Sequence, residues 1–266
     1  MQKTKVFIKL IKQLTKDFQG LIGAIVFYTR FPVPAIVPYQ IYRIARFAPL
    51  VGLLIGAGLL LGNICLTGLR LSGFSRAVIL VCLWVALTGG LHLDGVMDTA
   101  DGLAVQDPKQ RLRVMEDSHT GAFGAIAGIL LILLKVAALT ELFTHNDNSQ
   151  IFGLLLAPTW GRWGQVGAIA LYPYLKPTGK GAFLKQEMKL PQDLLWGLSC
   201  LGILTGFQGW QTGYWQSALG SFLGGAVISG LTCYWFYRRL GGHTGDTYGA
   251  VVEWTEAIFL IFLVIC

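Results

Sequence analysis

The stretch GAFGAIAGILLILLKVAALTELF, residues 121–143, decides the fold class. Lys135 and Glu141 are its only charged residues. Wound as a helix, such a run is long enough to cross the ~30 Å hydrocarbon core of a bilayer. Working outward, comparable apolar runs recur at 47–69, 75–91, 151–172, 192–208, 215–237 and 247–266. Composition agrees: 54% of residues are hydrophobic and 13% charged, against about a quarter charged in soluble domains. The reading is an all-α, polytopic transmembrane bundle of about seven spans, formed by one domain over residues 1–266.

Two N-terminal segments do not fit a simple span. Residues 3–18 place Val6, Phe7, Leu10, Ile11, Leu14 and Phe18 on one helical face and Lys5, Lys9, Lys12 and Lys16 on the other. That pattern predicts an amphipathic helix on an anionic membrane surface. Residues 20–38 are apolar but carry Arg30, Pro32, Pro34 and Pro38. Proline removes a backbone donor and breaks helices, so a re-entrant or interfacial element is expected there.

Charge distribution orients the bundle. Eight of the 21 Lys and Arg residues fall in 1–46, three in 92–118, four in 173–191 and two in 238–246. The alternate loops carry only Arg70 and Arg76. Basic residues collect on the cytoplasmic side of membrane proteins. A multi-pass membrane protein with its N-terminus in the cytoplasm is therefore expected. The net charge of +7 is an orientation signal in loops, not a nucleic-acid-binding stripe. No cleavable signal peptide is recognisable. The five cysteines show no C-x-x-C spacing, so neither a zinc site nor a disulfide framework is expected. Tyr172, Trp196, Trp215 and Tyr237 at span ends read as interfacial belts.

Acidic residues are scarce, and their placement carries the chemistry. In LHLDGVMDTADG (91–102), Asp94, Asp98 and Asp101 are spaced i, i+4, i+7 and share one helical face. Like charges so arranged repel one another. A divalent cation relieves that cost, and hard oxygen donors suit Mg²⁺ completed by substrate phosphates. GGHTGDT (241–247) opens the last span on the same side, with Asp246, Glu253 and Glu256 along it. Together the two motifs predict a two-sided acidic cage, with Asp94, Asp98, Asp101, Asp117, Asp246 and Glu253 as metal candidates. Glu116, beside Asp117, extends the acidic set.

Other residues are candidates for substrate contact or proton transfer. Arg111 and Arg113 suit phosphate clamping, or anchor the positive-inside loop. Arg30, His243 and Thr244 join the substrate-binding candidates. His92, His119 and His243 lie near the acids and are candidate bases, although each fits a structural hydrogen-bonding role. Lys135 and Arg162 lie mid-span and are expected to line a polar cavity or bind an anionic substrate, or else to pair internally with Glu141 or another acid.

The run GGLHLDGVMDTADGL (89–103) resembles the signature of the cobalamin synthase family, formally adenosylcobinamide-GDP ribazoletransferase. FYTRFPVP (27–34), FAPLVGLLIG (47–56), EDSHTGAFGAI (116–126), APTWGRWG (157–164) and GGHTGDTYGAVVEWTE (241–256) resemble further blocks of that family in the same order. Met97 stands where a small residue is more usual, and 106–110 lacks the usual glycine-rich run. The resemblance implies joining of adenosylcobinamide-GDP to α-ribazole or its 5′-phosphate, with release of GMP and a requirement for Mg²⁺. It places Asp94, Asp98 and Asp101 in the acidic motif and Asp246 in the later one. The small-molecule substrates and the lipid bilayer are then the expected partners, and oligomeric state is left open.

Three other classes were weighed. CDP-alcohol phosphotransferases place an Ala-Arg pair after the first Asp-Gly, where this chain has Asp98-Thr99 after Asp94-Gly95. Membrane prenyltransferases use N-x₃-D-x₃-D or D-D-x-x-D, and neither occurs. A cation transporter predicts midplane acids in two related halves, whereas these acids gather at one interface.

Overall fold

The computed structural model describes residues 2–144, 149–176, 179 and 181–266. Side chains are described for 11–144, 151–176, 179 and 181–266. The polar and apolar faces expected of residues 3–10 therefore lie outside the described side chains. Among the described residues there are eleven α-helices and no strand, apart from one isolated bridge. They are α1 (Gln2–Tyr28), α2 (Ala48–Gly68), α3 (Gly73–Thr88), α4 (Leu91–Ala104), α5 (Arg111–Val114), α6 (Ala122–Leu142), α7 (Ser149–Leu171), α8 (Ala182–Gln186), α9 (Gln192–Thr212), α10 (Trp215–Leu240) and α11 (Gly245–Ile265).

Four segments are long and apolar enough to cross a membrane: Ile44–Gly68, Ala122–Leu142, Trp215–Leu240 and Gly245–Ile265. The bent pair α3 and α4 makes a fifth if taken as one broken span. The chain is thus a multi-pass, all-helical membrane protein, with four to five spans by this measure where the sequence suggested about seven. α7 and α9 have spanning length but are not among them. α9 carries Gln192, Asp193, Gln208 and Gln211 along its length.

The N-terminal expectation is corrected. Residues 20–28 are not a separate re-entrant element, because α1 runs unbroken to Tyr28. The prolines act only beyond it, where the chain leaves helical geometry at Thr29 and stays irregular through Pro38.

Packing separates a lipid-like exterior from a close-packed interior. On α6, Phe123, Ile126, Ile129, Leu130 and Leu133 are exposed, while Leu131, Lys135, Ala138 and Leu139 are buried. An apolar outer face on a spanning helix is the arrangement a bilayer requires. Small residues bring helices close inside the bundle. Gly52 and Gly56 of α2 lie against the α7 backbone around Pro158 and Leu154–Leu155. Gly225 of α10 lies against the Trp160 indole of α7.

The feature that positions the site is the break between α3 and α4. Gly89 (φ +63°) and Gly90 (φ +71°) both adopt the left-handed conformation, which side chains with a Cβ disfavour. The two helices consequently meet at 91°. The aspartates therefore do not extend the second span, as a continuous helix would have them do. They sit on a separate short helix packed against α6 and α11.

Candidate active site

α4 approaches the start of α11 at Gly95. A Cβ at that position would overlap the Asp246 backbone carbonyl. This close approach sets α4, which carries Asp94 and Asp98, against the helix start that carries Asp246. Asp98 is half-buried and lies in the electrostatic field of Asp94, Asp101 and Asp246. Gly95→Ala must push α4 away from α11, because the obstruction is backbone rather than a flexible side chain. We expect it to destabilise the protein by about 1–3 kcal/mol, read as a lower melting temperature in detergent. An unchanged melting temperature would contradict this helix contact.

Asp246 is oriented by its own helix start. Thr244 caps α11, its hydroxyl accepting from the Thr247 N–H at 3.2 Å, while the Thr247 hydroxyl accepts from the Thr244 N–H at 2.7 Å. The Thr244 hydroxyl also lies 3.2 Å from Asp246 Oδ2, to which it donates. Asp246 thus stands in the first turn of α11 with its carboxylate held by the capping threonine.

Among the described residues Lys176 is the cation paired with this face, and the sequence does not single it out. Its ammonium donates to Asp246 Oδ2 at 3.2 Å and lies 3.6 Å from Glu116 Oε1. It reaches Asp98 electrostatically as well. The loop after α7 delivers it there through backbone pairing. The Leu175 N–H donates to the His243 carbonyl and the His243 N–H to the Pro173 carbonyl, each at 2.8 Å. A lysine in a Gly- and Pro-containing loop carries no signal that foretells this pairing.

The remaining acids of the expected cage are engaged differently. Asp101 turns to α6, accepting from the Gly121 and Gly124 N–H groups at 2.7 and 2.8 Å and so capping that helix. Asp117 is exposed and accepts from the His119 N–H at 3.0 Å, with the His119 ring 2.7 Å away. Those contacts hold its carboxyl below the usual carboxylate range. His119 is itself exposed. Glu253 is corrected as a metal candidate: it is buried and bound to Lys135.

The mid-span cations are likewise corrected as substrate contacts. Lys135 is 3% exposed and donates to Glu253 at 2.6 Å and Glu256 at 2.5 Å, with its ammonium 4.2 Å from the Trp84 ring centre. Arg162 is fully buried over the Tyr28 ring, within the field of both glutamates. Two cations and two anions thus balance inside the bundle, which is the internal pairing the sequence left open. His92 is also buried, tilted against Tyr28 and packed on Gly249 of α11, rather than presented on the open face.

The other candidates divide similarly. Arg111 donates to the Arg239 carbonyl at 2.9 Å, linking α5 to the end of α10. Arg113 and Arg30 are exposed, and the Arg30 guanidinium lies over Gly89 at the break. His243 and Thr244 are fully buried, which corrects both as substrate contacts; they hold the loop beneath Asp246.

Burial pushes the His243 imidazole down to about 4 from its ordinary 6.5. The folded protein therefore refuses a proton that the unfolded chain accepts. The corresponding stability is complete above pH 6.5 and is lost as pH falls toward 4. At pH 5 the loss is about 2 kcal/mol. His243→Gln should flatten that part of the melting-temperature profile between pH 7.5 and 5. An identical slope in both proteins would remove His243 as its source.

Among the described residues, no three His, Cys, Asp or Glu side chains stand close enough to form a ready-made metal cage. Mg²⁺ does not require one. It keeps several waters and binds through one or two carboxylates plus substrate phosphates. The acid-rich face, with Asp94 exposed and Asp98 and Asp246 half-buried, supplies hard oxygen donors of that kind.

The fold and this face together define a membrane-embedded helical protein with an acidic site where a broken helix meets the start of the last span. The model of the Cobalamin-5-phosphate synthase family matches residues 20–264, and the chain belongs to that family. It is 50% identical over 250 residues to a protein named adenosylcobinamide-GDP ribazoletransferase in Trichormus variabilis, covering 92% of this chain and 96% of the relative. Proteins of the same name in Synechocystis and Brevibacillus brevis are 47% and 38% identical. They cover 91% and 92% of this chain, and 92% and 97% of their own lengths. The family assignment makes the chain a transferase. No solved structure matches it.

Proposed function

We propose that the chain joins adenosylcobinamide-GDP to α-ribazole, or to α-ribazole 5′-phosphate, and releases GMP. The product is adenosylcobalamin or its 5′-phosphate, a late step in building the cobamide nucleotide loop. The observation that carries the chemistry is the Gly95 contact, which sets the helix bearing Asp94 and Asp98 against the start of α11 and leaves Asp98 in the field of Asp94, Asp101 and Asp246. The family and the names of the relatives supply the substrates.

In the reaction, the acceptor hydroxyl attacks the phosphorus nearer cobinamide. A new P–O bond forms, the bond to the GMP phosphate breaks, and the hydroxyl proton passes to a base. Such transfers depend on positioning and on neutralising phosphate oxygens. Asp94, Asp98 and Asp246 would hold Mg²⁺, which supplies Lewis-acid stabilisation of phosphate charge. Thr244 orients Asp246, and Asp101 fixes the α4–α6 junction so that the acidic face keeps its shape. Arg113 and Arg30 are exposed cations available to the nucleotide and the pyrophosphate.

The clustering of basic residues in alternate loops supports a cytoplasmic orientation of this face at a bacterial inner membrane, where soluble substrates would reach it. The test uses purified protein in liposomes with Mg²⁺. GMP release should require both adenosylcobinamide-GDP and α-ribazole, and should stop when either is omitted. Release of CMP or diphosphate from other activated substrates, with none from this pair, would overturn the reading.

A further inference from the structure

Lys176 is held at the acidic face in a way that anchoring alone does not explain. The loop carrying it is already fixed by the two backbone hydrogen bonds between 173–175 and His243. Its side chain nevertheless extends to Asp246 and Glu116 and lies within the field of Asp98. Among the described residues it is the cation in ion-pair contact with this face. The stem is mostly covered, with the side chain 17% exposed, so the ammonium is aimed and not freely solvated. One positive charge among several carboxylates leaves the face net negative.

We propose that Lys176 is the resident counter-charge of the acidic face, displaced by the divalent cation and then taken up by a phosphate of the nucleotide. The proposal rests on the transfer reaction above. Before the cation arrives, the ammonium offsets part of the carboxylate repulsion. Once the cation binds, the same carboxylates no longer need it. A lysine on a flexible four-carbon stem then reaches a new anion without any backbone motion. The anion nearest such a position is a phosphate of the bound nucleoside diphosphate or the departing GMP. Lys176 therefore contributes twice, by opposing cation binding to the empty enzyme and by retaining the phosphate afterwards. This coupling makes cation and nucleotide bind better together than apart.

The experiment measures binding apart from turnover. Melting temperature is followed against Mg²⁺ alone for the wild-type protein, Lys176→Gln and Lys176→Arg. GMP binding is then measured at saturating Mg²⁺. Removing a unit charge a few ångströms from a partly hydrated site should lower the Mg²⁺ midpoint of Lys176→Gln by about tenfold. GMP binding by the same variant should weaken by about tenfold, and Lys176→Arg should restore both values toward wild type. A Lys176→Gln midpoint equal to or above wild type overturns the proposal, as does unchanged GMP binding. A wild-type protein whose melting temperature ignores Mg²⁺ even with GMP present overturns the metal reading as well, so the two failures are distinguishable.

Discussion

Asp98→Asn lowers GMP release by about three orders of magnitude while leaving the protein as stable as before, or slightly more so. Asp98 is half-buried at the centre of the acidic face, flanked by Asp94, Asp101 and Asp246. Among the described residues, no hydrogen bond or ion pair ties its carboxylate to the fold. Asparagine has nearly the same shape, so packing is preserved. What is lost is a negative charge whose repulsion with its neighbours costs stability in the resting protein. A carboxylate retained despite that cost points to work done on a ligand. Losing a metal-holding charge removes several kcal/mol of phosphate stabilisation, and about 4 kcal/mol corresponds to the thousandfold effect. The measurement pairs GMP release with a melting curve. Activity near wild type removes the metal role, and a collapse of melting temperature reassigns Asp98 to the fold.

Lys135→Met gives the largest stability change, a loss of about 3–5 kcal/mol. Lys135 joins α6 to α11 by donating to both Glu253 and Glu256, with Trp84 of α3 against its ammonium. Without it, two buried carboxylates face each other with only Arg162 nearby. Removing one partner of a buried ionic group leaves uncompensated charge, whereas removing all of it is often nearly neutral. The triple variant Lys135→Met, Glu253→Gln, Glu256→Gln should therefore recover most of the loss. Unfolding in mild detergent, read by melting temperature, separates these outcomes. A single variant as stable as wild type, or a triple variant no better than the single, would refute the network as described.

The two experiments probe different layers of one design. The buried ionic group fixes α11 against α6, and α11 presents Asp246 at its start. α4 packs on both helices and presents Asp94 and Asp98. The fold thus places its balanced charges inside and leaves its unbalanced charges on one face, where a ligand can balance them.

The acidic motifs were legible because carboxylates are rare in this chain and cluster in two short runs. The membrane class was legible because apolar runs of spanning length dominate the composition. The partners of the mid-span charges were not settled by sequence. Lys135 lies 118 residues from Glu253, and linear spacing says nothing about which helices touch. The roles of Asp101 and Lys176 were hidden for the same reason. One caps a helix whose N-cap residue, Gly121, lies 20 residues later in the chain; the other depends on a backbone bridge between two loops.

Sequence by itself determined that the chain is a helical membrane protein, which family it resembles and where its scarce acids cluster. These properties follow from local composition, from hydrophobic run length and from ordered motifs. Tertiary structure alone decided that α4 breaks sharply from α3, that Glu253 belongs to Lys135, and that Lys176 stands among the aspartates. Each of those depends on close approach between distant segments. Such approach is set by backbone geometry at glycines and by helix packing, and the local pattern of residues does not encode it.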